Sequence, residues 1–280
     1  MGLFLQFAAP ALAGIFVGVM SGLLGVGGGT IMVPIFRLAF GMSPLASTAT
    51  SLFAIIPTSI SGVASHMRAK TCVPKLGVAL GVGGALTSPA GVWLASVSPG
   101  WLVIVVAALV IGLSAYKMFK KALKAPKRGK QKAAGAAADA SEPASSNPIP
   151  AQPDLTRKHY LQGAGIGLVA GLASGYVGVG GGFIMVPMML AILSIPMSLA
   201  SGTSLIAIMI LAIPGVIEQA ILGNINYFAG ISIVVGTIPG AVIGARLVRV
   251  IPERQLRFAF GGFLLVAAVL LMLNEFGILG

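Results

Sequence analysis

The sequence predicts an all-α polytopic membrane protein made of two inverted-topology repeats. Three observations carry that prediction: hydropathy, a duplicated glycine motif and the placement of the basic residues. Of 280 residues, 57% are hydrophobic and 9% charged, whereas soluble domains carry roughly 25% charged residues. At a mean hydropathy of +1.00 the apolar side chains exceed what one core can hide, so they face lipid. From Met1 to Tyr116 there is no acidic residue, and the only bases are Arg37, Arg68, Lys70 and Lys75.

The apolar segments, in chain order, are 7–24, a short 30–40, then 45–64, 76–96 and 100–119. The first lacks a basic n-region and a clear small-residue cleavage site, so it reads as a retained helix and not a signal peptide. After the linker come 161–177, a short 183–194, then 198–217, 226–246 and 255–276. About 20 residues cross a hydrocarbon core of roughly 30 Å, so most segments span it. The short ones, at 1.5 Å per residue, reach about halfway. Each half is therefore a Gly-rich helical hairpin followed by three transmembrane helices, giving about eight to ten membrane segments in all.

The halves match at an offset of 153 residues. GVGGGTIMVP at Gly25–Pro34 returns as GVGGGFIMVP at Gly178–Pro187, and Thr50-Ser51-Leu52 returns as Thr203-Ser204-Leu205. Gly14, Gly18 and Ser21-Gly22 align with Gly167, Gly171 and Ser174-Gly175. A register held over such a span marks an internal duplication. The organisation is a first membrane repeat at 1–119, a linker at 120–158 and a second repeat at 159–280. The linker, rich in Lys, Ala, Ser and Pro, is expected to be disordered because it has too little apolar area to fold.

The net charge of +12 does not indicate nucleic acid, because ten of the eighteen bases lie between Lys117 and Lys158. That concentration is the signature of a cytoplasmic loop, with an acidic-lipid contact compatible. In the first half the basic loop is Arg68–Lys75, before the fourth segment. In the second half Arg246, Arg249, Arg254 and Arg257 follow the fourth segment. Both basic loops lie inside with the linker only if the halves enter the membrane oppositely, which needs an odd number of crossings per half: a re-entrant pair plus three spans, or equally five thin crossings. Reading the first pair as one broken helix gives four crossings and is rejected. Inverted repeats of this kind are common among secondary transporters.

At the turn of each hairpin, glycine permits positive φ and bares backbone N–H groups. Pro34 and Pro187 fit the first turn of a following half-helix, whose positive end is presented near the bilayer interior. Two such ends make an anion site. A dinucleotide fold is excluded because no acidic residue lies about 20 positions after the first motif. A potassium filter needs fourfold symmetry, and only one copy (SGYVGVGGG) carries a Tyr. Gly14/Gly18 and Gly167/Gly171 read as helix-packing positions.

The doubled GxGGG-[small]-ΦΦVP motif, the Thr-Ser of the next helix and His66 before a basic turn resemble the TauE/SafE family, the sulfite exporters or 4-toluene sulfonate uptake permeases. The resemblance covers both halves and implies export of a small sulfur-containing anion such as sulfite, a sulfonate or sulfoacetate, coupled to the proton gradient. An anion channel of the same architecture is the alternative.

The candidate substrate-binding residues are Gly27, Gly28, Gly29, Thr50, Ser51, Gly180, Gly181, Gly182, Thr203 and Ser204. Hydroxyls at helical spacing also bond back to the carbonyl four residues earlier, which is their plain structural role. His66 and Glu218, ionisable at the ends of the third helices, are candidates for proton coupling, with an interfacial role as the alternative. The expected partners are the small anion and the lipid bilayer of a bacterial inner membrane, and a homodimer is admissible. Neither a cofactor nor a metal is expected. Cys72 is the only cysteine and His66 and His159 are scattered, so no ligand cluster forms. No paired carboxylates, Ser/His arrangement or GxxxxGK[ST] indicates an enzyme or ATP coupling.

Overall fold

A chain in lipid must satisfy its backbone polar groups internally, and long apolar runs do so as helices. In the computed structural model, which describes residues 2–124, 156–177 and 180–275, every regular element is helical. The first half comprises α1 (Gly2–Leu24), α2 (Gly29–Phe40), α3 (Pro44–Arg68), α4 (Pro74–Val97) and α5 (Gly100–Lys124). The second comprises α6 (Arg157–Val177), α7 (Gly182–Met188, continued by a π-helical stretch Met189–Leu193), α8 (Met197–Ile221), α9 (Tyr227–Leu247) and α10 (Glu253–Glu275). By length and composition α3, α4, α8 and α9 can each cross a membrane.

Helix ends follow local chemistry. Ser43 accepts from the Ala46 N–H at 3.3 Å ahead of Pro44, which opens α3. Asn226 Oδ1 accepts from the Ala229 N–H at 3.1 Å and caps α9. Two boundaries differ from expectation. α5 continues to Lys124 and α6 begins at Arg157, so helix extends into both ends of the 120–158 linker; the expected disorder between them lies outside the described residues. Pro34 and Pro187 also fall in the second turns of α2 and α7, not the first. There each removes a helical bond, to the carbonyls of Thr30 and Phe183.

The main packing runs between the halves. α1 lies along α9: a Cβ on Gly14, Gly18 or Gly22 would run into the carbonyl of Ile233, Thr237 or Ala241. α4 and α6 repeat the arrangement, with Gly167, Gly171 and Gly175 against the carbonyls of Leu80, Gly84 and Ser88. In both pairs the residue numbers rise together, so the helices are parallel. Small residues at four-residue spacing permit this backbone approach where lipid supplies no hydrophobic drive. α3 is also parallel to α9, through Thr58 with Thr237 and Ser61 with the Ile238 carbonyl. α1 and α3 therefore run the same way, and the chain reverses through α2. α3 and α8 cross antiparallel: Gly62 abuts Leu205, and Gly215 abuts Leu52. α5 packs on α10.

Candidate functional site

Each hairpin turn needs backbone that only glycine adopts without strain. Gly27 and Gly28 have φ of 80° and 82°, Gly180 and Gly181 of 86° and 71°, and Gly28 and Gly181 are the N-caps of α2 and α7. The turns meet around two repeat-related isoleucines, Ile55 and Ile208, near the middle of the 25-residue helices α3 and α8. A Cβ on Gly27 would lie 2.9 Å from Ile208 Cγ2, and one on Gly180 would lie 3.0 Å from Ile55 Cδ1. One on Gly182 would lie 2.8 Å from Val26 Cα, so the motifs themselves touch. The six candidate glycines are buried, and Ile55 and Ile208 close the gap between the turns.

The amides differ in availability. Ile31 and Met32 donate to the Gly28 carbonyl, and Ile184 and Met185 to that of Gly181, as a helix start requires. Gly182 N–H is engaged by the Gly180 carbonyl at 2.9 Å, so this expected anion donor is tied into its own turn. Among the described residues nothing accepts from the N–H groups of Gly27, Gly28, Gly29, Gly180 or Gly181. Buried donors that find no acceptor among the described residues, at the positive ends of two helices, call for one.

The four candidate hydroxyls divide by role. Thr50 accepts from the Asn226 N–H and Thr203 from the Val73 N–H, both at 3.0 Å, so each ties its helix to the start of a fourth helix in the other half. Thr203 also donates to the Leu199 carbonyl at 2.6 Å, leaving no proton for an anion. Ser204 donates to the Gly25 carbonyl at 2.7 Å, with the Ser201 carbonyl as alternative at 2.8 Å. Ser51, its repeat counterpart, is fully buried and has no partner.

Beside the first turn, two hydroxyls that sequence reasoning passed over share that condition. Ser21, in the last turn of α1, lies with its Cβ 3.6 Å from where a Cβ on Gly28 would stand, and Thr30 follows Gly29. Both are buried and unpartnered. A signal existed for Thr30: it is the one position at which the ten-residue motifs differ, with Phe183 opposite it.

His66, in the last turn of α3, is buried within the protein. Its Nε2 lies 2.8 Å from the Gly22 carbonyl, which can only accept, so Nε2 carries a proton; Nδ1 lies 2.8 Å from Thr71 Oγ1. His66 thereby satisfies a carbonyl at the end of α1, just before the first glycine turn. Glu218 is half-buried near the end of α8. Because α3 and α8 are antiparallel, the two residues sit at opposite ends of the molecule and are not brought together. Among the described residues no group of three His, Cys, Asp or Glu side chains could hold a metal.

Comparison with known proteins now adds to this geometry. The family model described as "Sulfite exporter TauE/SafE" matches residues 10–271. Three Bacillus subtilis (strain 168) proteins are similar over most of their length. "Probable membrane transporter protein YunE" is 26% identical over 88% of this chain and 89% of its own. "Probable membrane transporter protein YdhB" is 27% identical over 91% and 96%, and "Probable membrane transporter protein YjnA" 26% identical over 93% and 98%. No solved structure matches the chain.

Proposed function

Because this chain belongs to the sulfite exporter TauE/SafE family and is a multi-pass inner-membrane transporter, we propose that its cargo is a small sulfur-containing anion such as sulfite, a sulfonate or sulfoacetate, exported by proton-coupled alternating access. The observation that carries this reading is the pair of buried glycine turns, with unpaired N–H groups, meeting halfway along α3 and α8. Gly27–Gly29 and Gly180–Gly181 would supply backbone donors, with hydroxyls from Ser51, Ser21 and Thr30. Thr50, Thr203 and Ser204 hold the surrounding helices, and Gly182 holds its own turn. Backbone and hydroxyl donors bind an oxyanion without a buried Lys or Arg, which suits a site that must also release it.

Inverted topology is part of the same reading. The antiparallel crossing of α3 and α8, and the parallel run of α1 with α3 and α9, support two oppositely inserted halves rocking about the turns. Ile55 and Ile208, packed between the turns, suit an occluded carrier better than an open pore, so access requires the third helices to part. His66 is the proposed site of proton coupling, being a buried ionisable group bonded to Gly22, three residues before the first glycine motif.

The test is a thermal-shift screen of purified protein against sulfite, sulfate, thiosulfate, taurine, sulfoacetate and carboxylates, followed by counterflow in proteoliposomes. A ligand selective for the folded state raises stability by mass action. Stabilisation confined to sulfur oxyanions, with saturable counterflow, is expected; voltage-driven current without exchange would establish the channel instead. Cysteines introduced singly at Ser98 and Ser145, after removal of Cys72, are expected to label from opposite membrane faces. Labelling of both in intact cells by an impermeant reagent would exclude the inverted topology.

A further inference from the structure

Away from the glycine turns, the C-terminal ends of α3 and α9 enclose a cavity of about 270 Å³ lined by Ser61, Ala64, Ser65, Arg68, Val242 and Arg246, with Ala69 and Arg249 completing it. The helices are held together beneath it by the Thr58–Thr237 contact of 2.6 Å and by Ser61 donating to the Ile238 carbonyl at 2.8 Å. Small side chains at Ala64 and Ala69 leave the space open. Among the described residues neither Arg68 nor Arg246 has a carboxylate partner; Glu253, the acidic residue closest in sequence to this cluster, pairs with Arg257. The same two helices expose apolar side chains one position from lining residues, Ile60 and Met67 beside Ser61 and Arg68, Ile243 and Leu247 beside Val242 and Arg246. A cavity lined by arginines, on helices that expose apolar side chains beside it, matches a ligand with an anionic head and acyl tails.

We propose that this cavity is a binding site for an acidic phospholipid, its headgroup phosphate held by Arg68 and Arg246 and its chains lying against the exposed faces of α3 and α9. Guanidinium forks fit phosphate oxygens in a bidentate geometry that a surface lysine lacks. The same arginines also answer the negative carbonyl ends of two helices, which is all they would do if no lipid were held. A bound lipid would brace the pair that carries His66 and packs against α1, and so make the stability of the transporter depend on membrane charge.

The experiment uses the full-length protein in phosphatidylcholine nanodiscs, with and without phosphatidylglycerol. Melting temperature and phospholipid retained per chain by native mass spectrometry are compared for wild type, the Arg68→Gln/Arg246→Gln variant and Lys75→Gln, an exposed base outside the cavity. Phosphatidylglycerol is expected to raise the melting temperature of wild type and Lys75→Gln but not of the double variant. The double variant should bind the lipid roughly thirty-fold more weakly, about five- to sixfold per arginine near an acidic surface. If it is destabilised equally in both membranes and retains phosphatidylglycerol as wild type does, the arginines serve only the helix ends and the proposal falls. If inorganic phosphate in neutral nanodiscs stabilises wild type as much as phosphatidylglycerol does, the site takes free phosphate and the lipid assignment is wrong.

Discussion

Matched by their 153-residue offset, the two copies of the hairpin turn and third helix share a backbone and differ in chemistry. Both turns hold glycine at positive φ, and both threonines, Thr50 and Thr203, tie down the start of the opposite half's fourth helix. The first copy nevertheless carries Thr30, Thr58, Ser59 and His66 where the second has Phe183, Leu211, Ala212 and Gln219. Three of these first-copy positions stand out: Thr30 and Ser59 are buried without partners, and His66 reaches the end of α1. The duplicated scaffold thus sets the geometry, while the hydroxyls at Thr30 and Ser59 and the buried histidine belong to the first copy alone. Different side chains inside a repeated frame are the central lesson of that comparison.

The largest expected effect tests the part the copies share. Gly28→Val and Gly181→Val force a branched side chain into left-handed backbone where even a Cβ would crowd Val17 Cγ1 at 3.0 Å or Ser174 Cβ at 3.2 Å. Both variants should lose transport and anion-induced stabilisation when assayed on monodisperse protein. Gly14→Ala, a packing substitution against the Ile233 carbonyl, should lower stability by about 1–3 kcal/mol and leave binding intact. A strong defect in only one valine variant would show that the turns are not equivalent.

Much of this frame is legible in the sequence. Hydropathy and the doubled motif give the helices and the hairpins because glycine and apolar length act locally. The pairing of α1 with α9 is not legible, since a stripe of small residues such as Gly14 and Gly18 says that some helix approaches closely but not which. Hydroxyl availability is hidden for a similar reason. Ser51 and Ser204 are the same residue at the same repeat position, and only their neighbours decide that one donates to Gly25 and the other to nothing. His66 meets Gly22 across 44 residues, a contact no local pattern encodes.

Substituting one copy's residue into the other sharpens the contrast. His66→Gln installs the second copy's residue, whose Gln219 already bonds Asn224 at 2.8 Å in the equivalent setting, so the fold should survive. Transport driven by a proton gradient should be lost while anion counterflow persists. Unchanged pH dependence of transport in this variant would confine His66 to capping α1.

Smaller effects separate the paired serines. Ser51→Ala should weaken anion binding by about tenfold, the worth of one hydrogen bond to a charged group, without reducing stability. Ser204→Ala should reduce stability by about 1 kcal/mol through the lost bond to Gly25 and alter binding little. Chemical denaturation and calorimetric titration, run on both variants, would expose a reversal of these roles. At the low end, Thr58→Val should cost about 1 kcal/mol by breaking the contact with Thr237. Melting curves unchanged within error would mean that contact contributes nothing to the α3–α9 interface.

The amides of the turns themselves give the most direct measurement. With glycines labelled by ¹⁵N and resonances assigned through single substitutions, the protein is titrated with the anion that stabilises it most in the thermal screen. Resonances of Gly28, Gly29 and Gly181 should shift and saturate together at the concentration that saturates stabilisation, while Gly167, packed against Leu80, stays in place. Saturable binding that leaves the amides of both turns unmoved would contradict the account and move the site away from the glycine turns.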